Sequence, residues 1–167
     1  MLKGIIVETE AYSQEEEACH GFKKQTNSNK TLFGEPGLFY VYKSYGMHHC
    51  LNLVTDKKDF ASGVLIRSIF IDQSQERVAS GPGLLTKKFE INENFNSLKS
   101  FDNDFLNIFQ SDIPISTNEL VKTTRIGISK AKDLEWRWYL KASRSVSKRV
   151  KGDKMPKLIS QFSHFNF

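Results

Sequence analysis

Two glutamates near the start of the sequence have the residue type and the spacing for acid–base chemistry. Glu8 and Glu10 lie in residues 4–12, where alternating side chains predict a β-strand. Alternate residues of a strand share a face and lie roughly 7 Å apart, so the two carboxylates are expected to interact electrostatically. By the same alternation, Ile6 and Tyr12 are predicted to lie on the face that carries Glu8 and Glu10. A carboxylate can accept a proton from water, but strand glutamates are commonly solvated, and spacing alone does not distinguish the two acids.

Three later polar residues extend this arrangement. Tyr42 and Asn52 lie on the facing strands of a predicted hairpin, and Arg67 lies on a third predicted strand, with Leu65 and Ile69 on its face. A guanidinium between apolar neighbours needs a polar partner. Two aromatic rings, an amide, a carboxylate and an arginine would form a pocket that stacks on and reads a planar base. The spacing is compatible with this interpretation and does not by itself require it.

Turn signals and periodicity predict the elements that position these residues. Pro36-Gly37 predicts a turn before a hairpin, and Tyr45 then lies at the hairpin tip, where a large ring has no core to fill. The ring either packs on a neighbouring loop or enters a binding partner, and the pattern leaves both open. The predicted elements are strands at residues 4–12, 38–42, 47–54, 63–71, 125–128 and 138–140, helices at 13–20 and 84–89, and irregular chain at 23–30 and 92–117.

Composition limits the class of protein. The 167 residues fit one compact domain, and 24 Lys and Arg against 19 Asp and Glu give a net charge of +5, which favours a polyanionic partner. Basic residues are dense in 122–157, and we expect residues 148–167 to form a mobile tail. The chain has two cysteines and lacks an apolar run of signal-peptide or membrane-span length. We therefore expect no membrane partner and an intracellular location, cytoplasmic or nucleoid-associated in a bacterium and nuclear in a eukaryote.

Two clusters of cysteine and histidine raise the question of a metal site. They are Cys19-His20 and His48-His49-Cys50. His48 and His49 are predicted to point to opposite faces of a strand, and neither cluster has the spaced ligand pairs of a zinc motif. Nucleophile-elbow and glycine-rich phosphate-binding motifs are also lacking. We expect no metal, and a metal-dependent hydrolase is the weaker alternative.

Short motifs along the chain carry a more specific signal. They are Val7-Glu8-Thr9-Glu10-Ala11-Tyr12, His20, Pro36-Gly37, Tyr40-Val41-Tyr42, Tyr45-Gly46-Met47, Leu51-Asn52, Val64-Leu65-Ile66-Arg67, Ser80-Gly81-Pro82, Arg125-Ile126-Gly127 and Trp136-Arg137-Trp138-Tyr139. In type and order they resemble the signature of the alkyladenine (3-methyladenine) DNA glycosylase family, over residues 4 to about 147. The resemblance implies a single α+β domain, with a curved, mostly antiparallel sheet, a protruding β-hairpin and flanking helices.

The resemblance implies hydrolysis of the bond between a damaged purine and its sugar. Glu10 matches the family's general base and Arg67 the residue that helps to hold the attacking water. The reaction passes through an oxocarbenium-like state, which a carboxylate can stabilise while it deprotonates water. The matched pocket motifs contain no lysine, so we expect hydrolysis without strand cleavage. Neither a metal nor an organic cofactor is implied.

The resemblance also implies how the base and the DNA are bound. Tyr12 and Tyr42 match rings that sandwich the extruded purine, His20 a residue that caps the pocket and hydrogen-bonds the base, and Asn52 one that crowds the exocyclic amine of guanine. Tyr45 matches the wedge that fills the gap left in the minor groove.

The implied partner is double-stranded DNA containing damaged purines, bound by a monomer. Lys24, Thr26 and Met47 lie where the family contacts the DNA backbone.

Three departures from the family pattern affect these expectations. Family members have a helix and a strand before residue 4, so we expect the first strand to lack a neighbour and form an edge. The family has a lysine where Leu84 stands, so one phosphate contact is expected to be missing. Residues 92–117 are rich in Asn and Phe and are expected to pack loosely. The main alternative is a DNA-binding remnant of the same fold without catalysis.

Overall fold

Six strands form one antiparallel sheet in the computed structural model, which describes residues 2–72, 76–111 and 115–157. The strands are β1 (Ile5–Ser13), β2 (Phe39–Ser44), β3 (His48–Val54), β4 (Ser62–Phe70), β5 (Leu120–Thr123) and β6 (Arg137–Leu140), in the spatial order β2-β3-β4-β1-β6-β5. The described chain adds one α-helix, α1 (Pro82–Lys88), and 3₁₀ turns at Lys30–Phe33, Glu93–Phe95 and Thr117–Glu119. The predicted α+β class is confirmed. None of the described helices is long and apolar enough to span a membrane.

Alternation along β2 separates two apolar clusters. Phe39 and Val41 point to one side, the rear face, where they join Leu51, Ile66 and Leu85 of α1. The excursion predicted to pack loosely covers this face, because it supplies partly buried side chains to the cluster: Phe95, Leu98, Leu106 and Ile108. Tyr40, the residue between Phe39 and Val41, belongs to a second cluster on the opposite side, the front face. Both faces of the sheet therefore carry part of the core.

Two register shifts between β1 and β4 change which face some residues occupy. Val7 on β1 and Arg67 on β4 are left out of the pairing, on either side of the Glu8–Ser68 pair. Such irregularities rotate the side chains that follow them. Ile6 and Ile69 consequently pack against the rear cluster. The predictions that Ile6 shares the face of Glu8, and Ile69 the face of Arg67, are therefore wrong.

Strand β1 is internal to the sheet. It pairs with β4 on one side and, from Glu8 to Glu10, with β6 on the other, and the backbone N–H of Ala11 donates to the Trp136 carbonyl. The expectation that β1 forms an edge is therefore wrong, because β6 supplies the second neighbour.

Two predicted elements are replaced by turns. Of residues 13–20, Ser13 ends β1 and residues 14–20 form successive turns and not a helix, because the Glu16 carboxylate points inward to Arg125 and accepts a hydrogen bond from the Ala18 N–H. Residues 125–128 are not a strand, since the Arg125 side chain is engaged in the interior and Gly127 adopts a φ of 78°. The strand in this region is β5, which ends before Arg125.

The hairpin, the fourth strand and the helix near residue 84 are confirmed, with bounds shifted by one or two residues. Part of the predicted tail is attached to the sheet: the Asp153 carboxylate accepts hydrogen bonds from the Tyr139 hydroxyl of β6 at 2.6 Å and from Arg149 at 2.7 Å. The remainder of the tail, residues 158–167, lies outside the described residues.

Candidate active site

Glu10 is fully buried and bound by three donors. Its Oε2 accepts hydrogen bonds from the Tyr12 hydroxyl at 2.9 Å and from Arg67 Nη1 at 3.1 Å, and its Oε1 accepts one from the Ile126 N–H at 2.8 Å. All three donor residues line one cleft, which lies on the front face of the sheet. Burial and the adjacent carboxylate raise the pKa of Tyr12, so its hydroxyl remains a donor at neutral pH. The carboxylate thus lies directly behind the wall of the cleft in a defined orientation.

Glu8, two residues earlier, is surrounded more completely. Its two oxygens accept hydrogen bonds from the Ser68 hydroxyl, from Arg137, and from both the N–H and the hydroxyl of Ser147, all at 2.7 to 2.8 Å. Burial by itself raises the pKa of Glu8, but the Ser147 N–H and the charges of Arg137 and Arg67 outweigh it and hold the pKa below its usual value. Glu8 is therefore ionised, and hydrogen bonds within the fold occupy both of its carboxylate oxygens.

Arg67 links the two acids. Its Nη1 is 3.1 Å from Glu10 and its Nε is 3.4 Å from Glu8, while the residue also lines the cleft. The register shift at Arg67 and the preceding alternation of β4 direct the guanidinium to the front face. The partner that the sequence required for this arginine is thus a pair of carboxylates.

The cleft on the front face has a volume of about 810 Å³. It brings together all four residues that the sequence predicts for base binding, as well as Tyr45 and Arg67, and it also includes Ile126, for which the sequence predicts a strand position and no role. The predicted residues that line it are Tyr12, His20, Tyr42, Tyr45, Asn52 and Arg67. The only signal for Ile126 was its position in the Arg125-Ile126-Gly127 motif. A cleft of this size accommodates a purine nucleotide.

Three rings form an aromatic cluster on one side of the cleft. The His20 ring is 4.3 Å from that of Tyr42, and Tyr40 is 5.3 Å from Tyr42. His20 Nδ1 lies 3.1 Å from the Tyr40 hydroxyl, and partial desolvation lowers the pKa of His20, so the imidazole is neutral at pH 7. Burial also raises the pKa of Tyr40 to about 12. These rings present neutral stacking surfaces and hydrogen-bonding groups to an occupant of the cleft.

Asn52 lines the cleft from β3. Its amide nitrogen donates to the Tyr40 carbonyl at 3.0 Å, which fixes the side chain. The amide oxygen has no hydrogen-bond partner among the described residues. Asn52 therefore presents an acceptor of fixed orientation.

The predicted DNA-contacting residues lie at two places on the rim. Tyr45 and Met47 are exposed at the hairpin tip, Tyr45 to 82 %, with left-handed φ values of 48° at Tyr45 and 68° at Gly46. Lys24 and Thr26 lie on the exposed loop that lines a smaller neighbouring cleft of about 390 Å³. The structure does not place Lys24, Thr26 or Met47 in the main cleft.

The histidines and cysteines considered for a metal are dispersed. His49 pairs with Glu93 at 3.0 Å, whereas His48 lines the cleft on the opposite face. Within residues 2–72, 76–111 and 115–157, no group of three or more His, Cys, Asp or Glu side chains is arranged to hold a metal ion.

A family model and the relatives of this chain all indicate the same protein family. The sequence model described as Methylpurine-DNA glycosylase matches residues 1–144. A relative in Synechococcus elongatus is 42% identical over 149 residues, which cover 89% of this chain and 76% of the relative. Relatives in Synechococcus sp. strain JA-3-3Ab and Carboxydothermus hydrogenoformans are each 40% identical over 161 residues, covering 87% and 89% of this chain and 83% and 84% of the relatives. All three relatives are provisionally named 3-methyladenine DNA glycosylase.

Proposed function

Since the chain belongs to the methylpurine-DNA glycosylase family, we propose that it hydrolyses the N-glycosidic bond of alkylated or deaminated purines, such as 3-methyladenine and hypoxanthine, in double-stranded DNA. The observation that carries the proposal is the Glu10 carboxylate, fully buried behind a cleft and held by Tyr12, Arg67 and Ile126. A buried carboxylate that retains such donors at a cleft wall is suited to acid–base chemistry.

In the proposed reaction Glu10 acts on water. The bond between the purine nitrogen and the sugar carbon breaks, its electron pair leaves with the base, and positive charge develops on the sugar. Glu10 stabilises that charge and takes a proton from the water whose oxygen bonds to the sugar carbon, while Arg67 positions the water. A cationic alkylated purine leaves as a neutral base, whereas hypoxanthine needs a proton.

The proposed recognition requires the base to leave the DNA stack. Tyr12 and Tyr42 would stack on the extruded purine, the neutral His20 ring would hydrogen-bond to it, and Asn52 would select against the exocyclic amine of guanine. Extrusion costs a few kcal/mol, least for weakened pairs, which adds selectivity for damage. The exposed Tyr45 would fill the space left in the duplex from the minor groove.

Lys24, Thr26 and Met47 would contact the DNA backbone, and these contacts would not depend on the DNA sequence. The protein would act as a monomer. Two further lysines, Lys43 and Lys130, line the cleft, and Lys130 lies 3.5 Å from Glu17. We propose that neither acts as a nucleophile, so the product is an intact strand with an abasic site.

The decisive experiment measures base release from duplexes containing hypoxanthine or 3-methyladenine. We expect release by the wild-type chain, at least about a hundredfold slower release by Glu10→Gln because the general base is lost, and no effect of a chelator. Glu15→Gln is the matched control, since it removes an equal charge from an exposed side chain.

Equal release by Glu10→Gln and the wild type would remove Glu10 from its role. Binding of the duplex without release by the wild type would favour the non-catalytic DNA-binding remnant.

A further inference from the structure

A buried ion pair lies behind the ring of Tyr12. Arg125 is 4% exposed, and its two terminal nitrogens donate to the Glu16 carboxylate at 2.7 and 2.9 Å. Its guanidinium also donates to the Ala11 and Ala131 carbonyls. The pair therefore holds together residues that are far apart in the chain, next to the proposed general base.

The guanidinium also stacks on the cleft wall. It lies over the Tyr12 ring, 4.5 Å from its centroid. Tyr12 lines the cleft and Arg125 does not, so the ring separates the cation from the cleft. The residue after Arg125 is Ile126, whose N–H binds Glu10. Arg125 thus positions both a stacking ring and a donor to Glu10, but it also places a positive charge behind that ring.

That charge matters because it acts on an occupant of the cleft. A base stacked on the front of the ring would lie roughly 8 Å from the guanidinium, taking 4.5 Å to the centroid and a van der Waals separation beyond it. Across a buried site, two like charges at this distance repel appreciably, and a cation behind an aromatic ring weakens its attraction for a second cation. An uncompensated Arg125 would disfavour cationic purines.

Glu16 removes this penalty by neutralising the guanidinium within the fold. Two other side chains of the cleft also add no unbalanced positive charge, since Arg67 faces Glu10 and Glu8, and desolvation lowers the pKa of His20, which leaves it uncharged at pH 7. We propose that Glu16 is a specificity-determining residue that lets the cleft accept positively charged alkylated purines by neutralising Arg125 behind Tyr12. This inference rests on the proposed function.

The test is a competition in one tube between a cationic lesion, 3-methyladenine, and a neutral one, hypoxanthine. The ratio of their release rates does not depend on the folded fraction of a variant, so partial unfolding does not obscure it. We expect Glu16→Gln to lower the ratio of cationic to neutral release about tenfold, because Arg125 then carries an uncompensated charge. Glu15→Gln, the exposed neighbour, should leave the ratio unchanged.

Removing the charge of Arg125 should change the ratio of cationic to neutral release in the opposite direction. Arg125→Met leaves the Glu16 charge behind the ring and should raise the ratio, while Arg125→Met/Glu16→Gln removes both charges and should return it to within about threefold of the wild type. A wild-type ratio in Glu16→Gln, or a lower ratio in Arg125→Met, overturns the inference alone. Release of neither base by the wild type overturns the inference together with the proposed function.

Discussion

Glu8 accepts hydrogen bonds from Ser68, Arg137 and Ser147, whereas Glu10 accepts them from Tyr12, Arg67 and Ile126, which all line the cleft. The alternation of β1 predicted that the two acids share a face but not which of them serves the cleft. Three of these donor residues, Ile126, Arg137 and Ser147, lie more than 100 positions from the glutamate that they bind, and no local pattern reveals such contacts. The role of Glu10 remains a prediction that the family resemblance implied and that this geometry supports.

Glu8 should contribute strongly to stability above its ordinary pKa. Glu8→Gln leaves the buried Arg137 without its ionic partner, so we expect a loss of about 3 kcal/mol in the free energy of unfolding at pH 7. Because the pKa of Glu8 is lowered in the fold from an unfolded value of about 4.5, its contribution is full above that value. It is lost as the pH falls through the lower, folded-state pKa.

Urea unfolding at a series of pH values measures this difference, with Glu15→Gln as the control. The gap between the wild type and Glu8→Gln should be constant from pH 7 to about 5 and should shrink at lower pH. A gap that is absent at pH 7, or that widens on acidification, contradicts the anchoring role of Glu8.

At the scale of the elements, the hairpin and the strands with clear alternation were predictable from the sequence. The turn at Pro36-Gly37 and the apolar alternation of β2 and β3 are local signals, and both strands formed. Residues 13–20 carried equally local helix signals, but the buried pair of Glu16 with Arg125 overrides them. The register shifts in β1 and β4 also have no local signal, because they depend on which strands meet.

A substitution at the hairpin tip should reduce base release while leaving the stability of the protein nearly unchanged. Tyr45 has a φ of 48°, a left-handed conformation that costs an L-residue roughly 1–2 kcal/mol and costs glycine little. Tyr45→Gly relieves this strain but increases the entropy of the unfolded chain, so we expect the free energy of unfolding to change by less than about 1 kcal/mol. Base release should nevertheless fall at least about tenfold, because no ring fills the duplex.

Thermal unfolding and single-turnover base release, measured on the same preparation, check this prediction. Tyr45→Asn is the matched control for the turn, since asparagine tolerates the left-handed region and provides no ring. Unchanged release by both variants would show that the ring of Tyr45 takes no part in base release.

On the scale of the whole molecule, the distribution of charge around the cleft sets the strength of DNA binding. The net charge of +5 was predictable, but the position of each charge relative to the cleft was not. Leu84, at the start of α1, is about half exposed and lines the cleft. An apolar side chain there supplies no phosphate contact.

Leu84→Lys should therefore strengthen binding to duplex DNA of any sequence. One added phosphate contact steepens the slope of log affinity against log salt concentration by about 0.9, so the gain should be largest at low salt. Titration of a labelled duplex at several salt concentrations measures the slope, and Leu84→Met is the uncharged control. An unchanged slope would place residue 84 away from the phosphates.

The contacts of Glu8 have a consequence for synthesis of the chain. Its carboxylate belongs to a strand near the beginning of the sequence, but three of its donors come from Arg137 and Ser147. Contacts of such large sequence separation form late and slow folding. While the ribosome is still translating the middle of the domain, the Glu8 carboxylate of β1, which is buried in the native fold, lacks these hydrogen-bond donors. Strand β1 should thus acquire its full set of native contacts only after residue 147 has been synthesised.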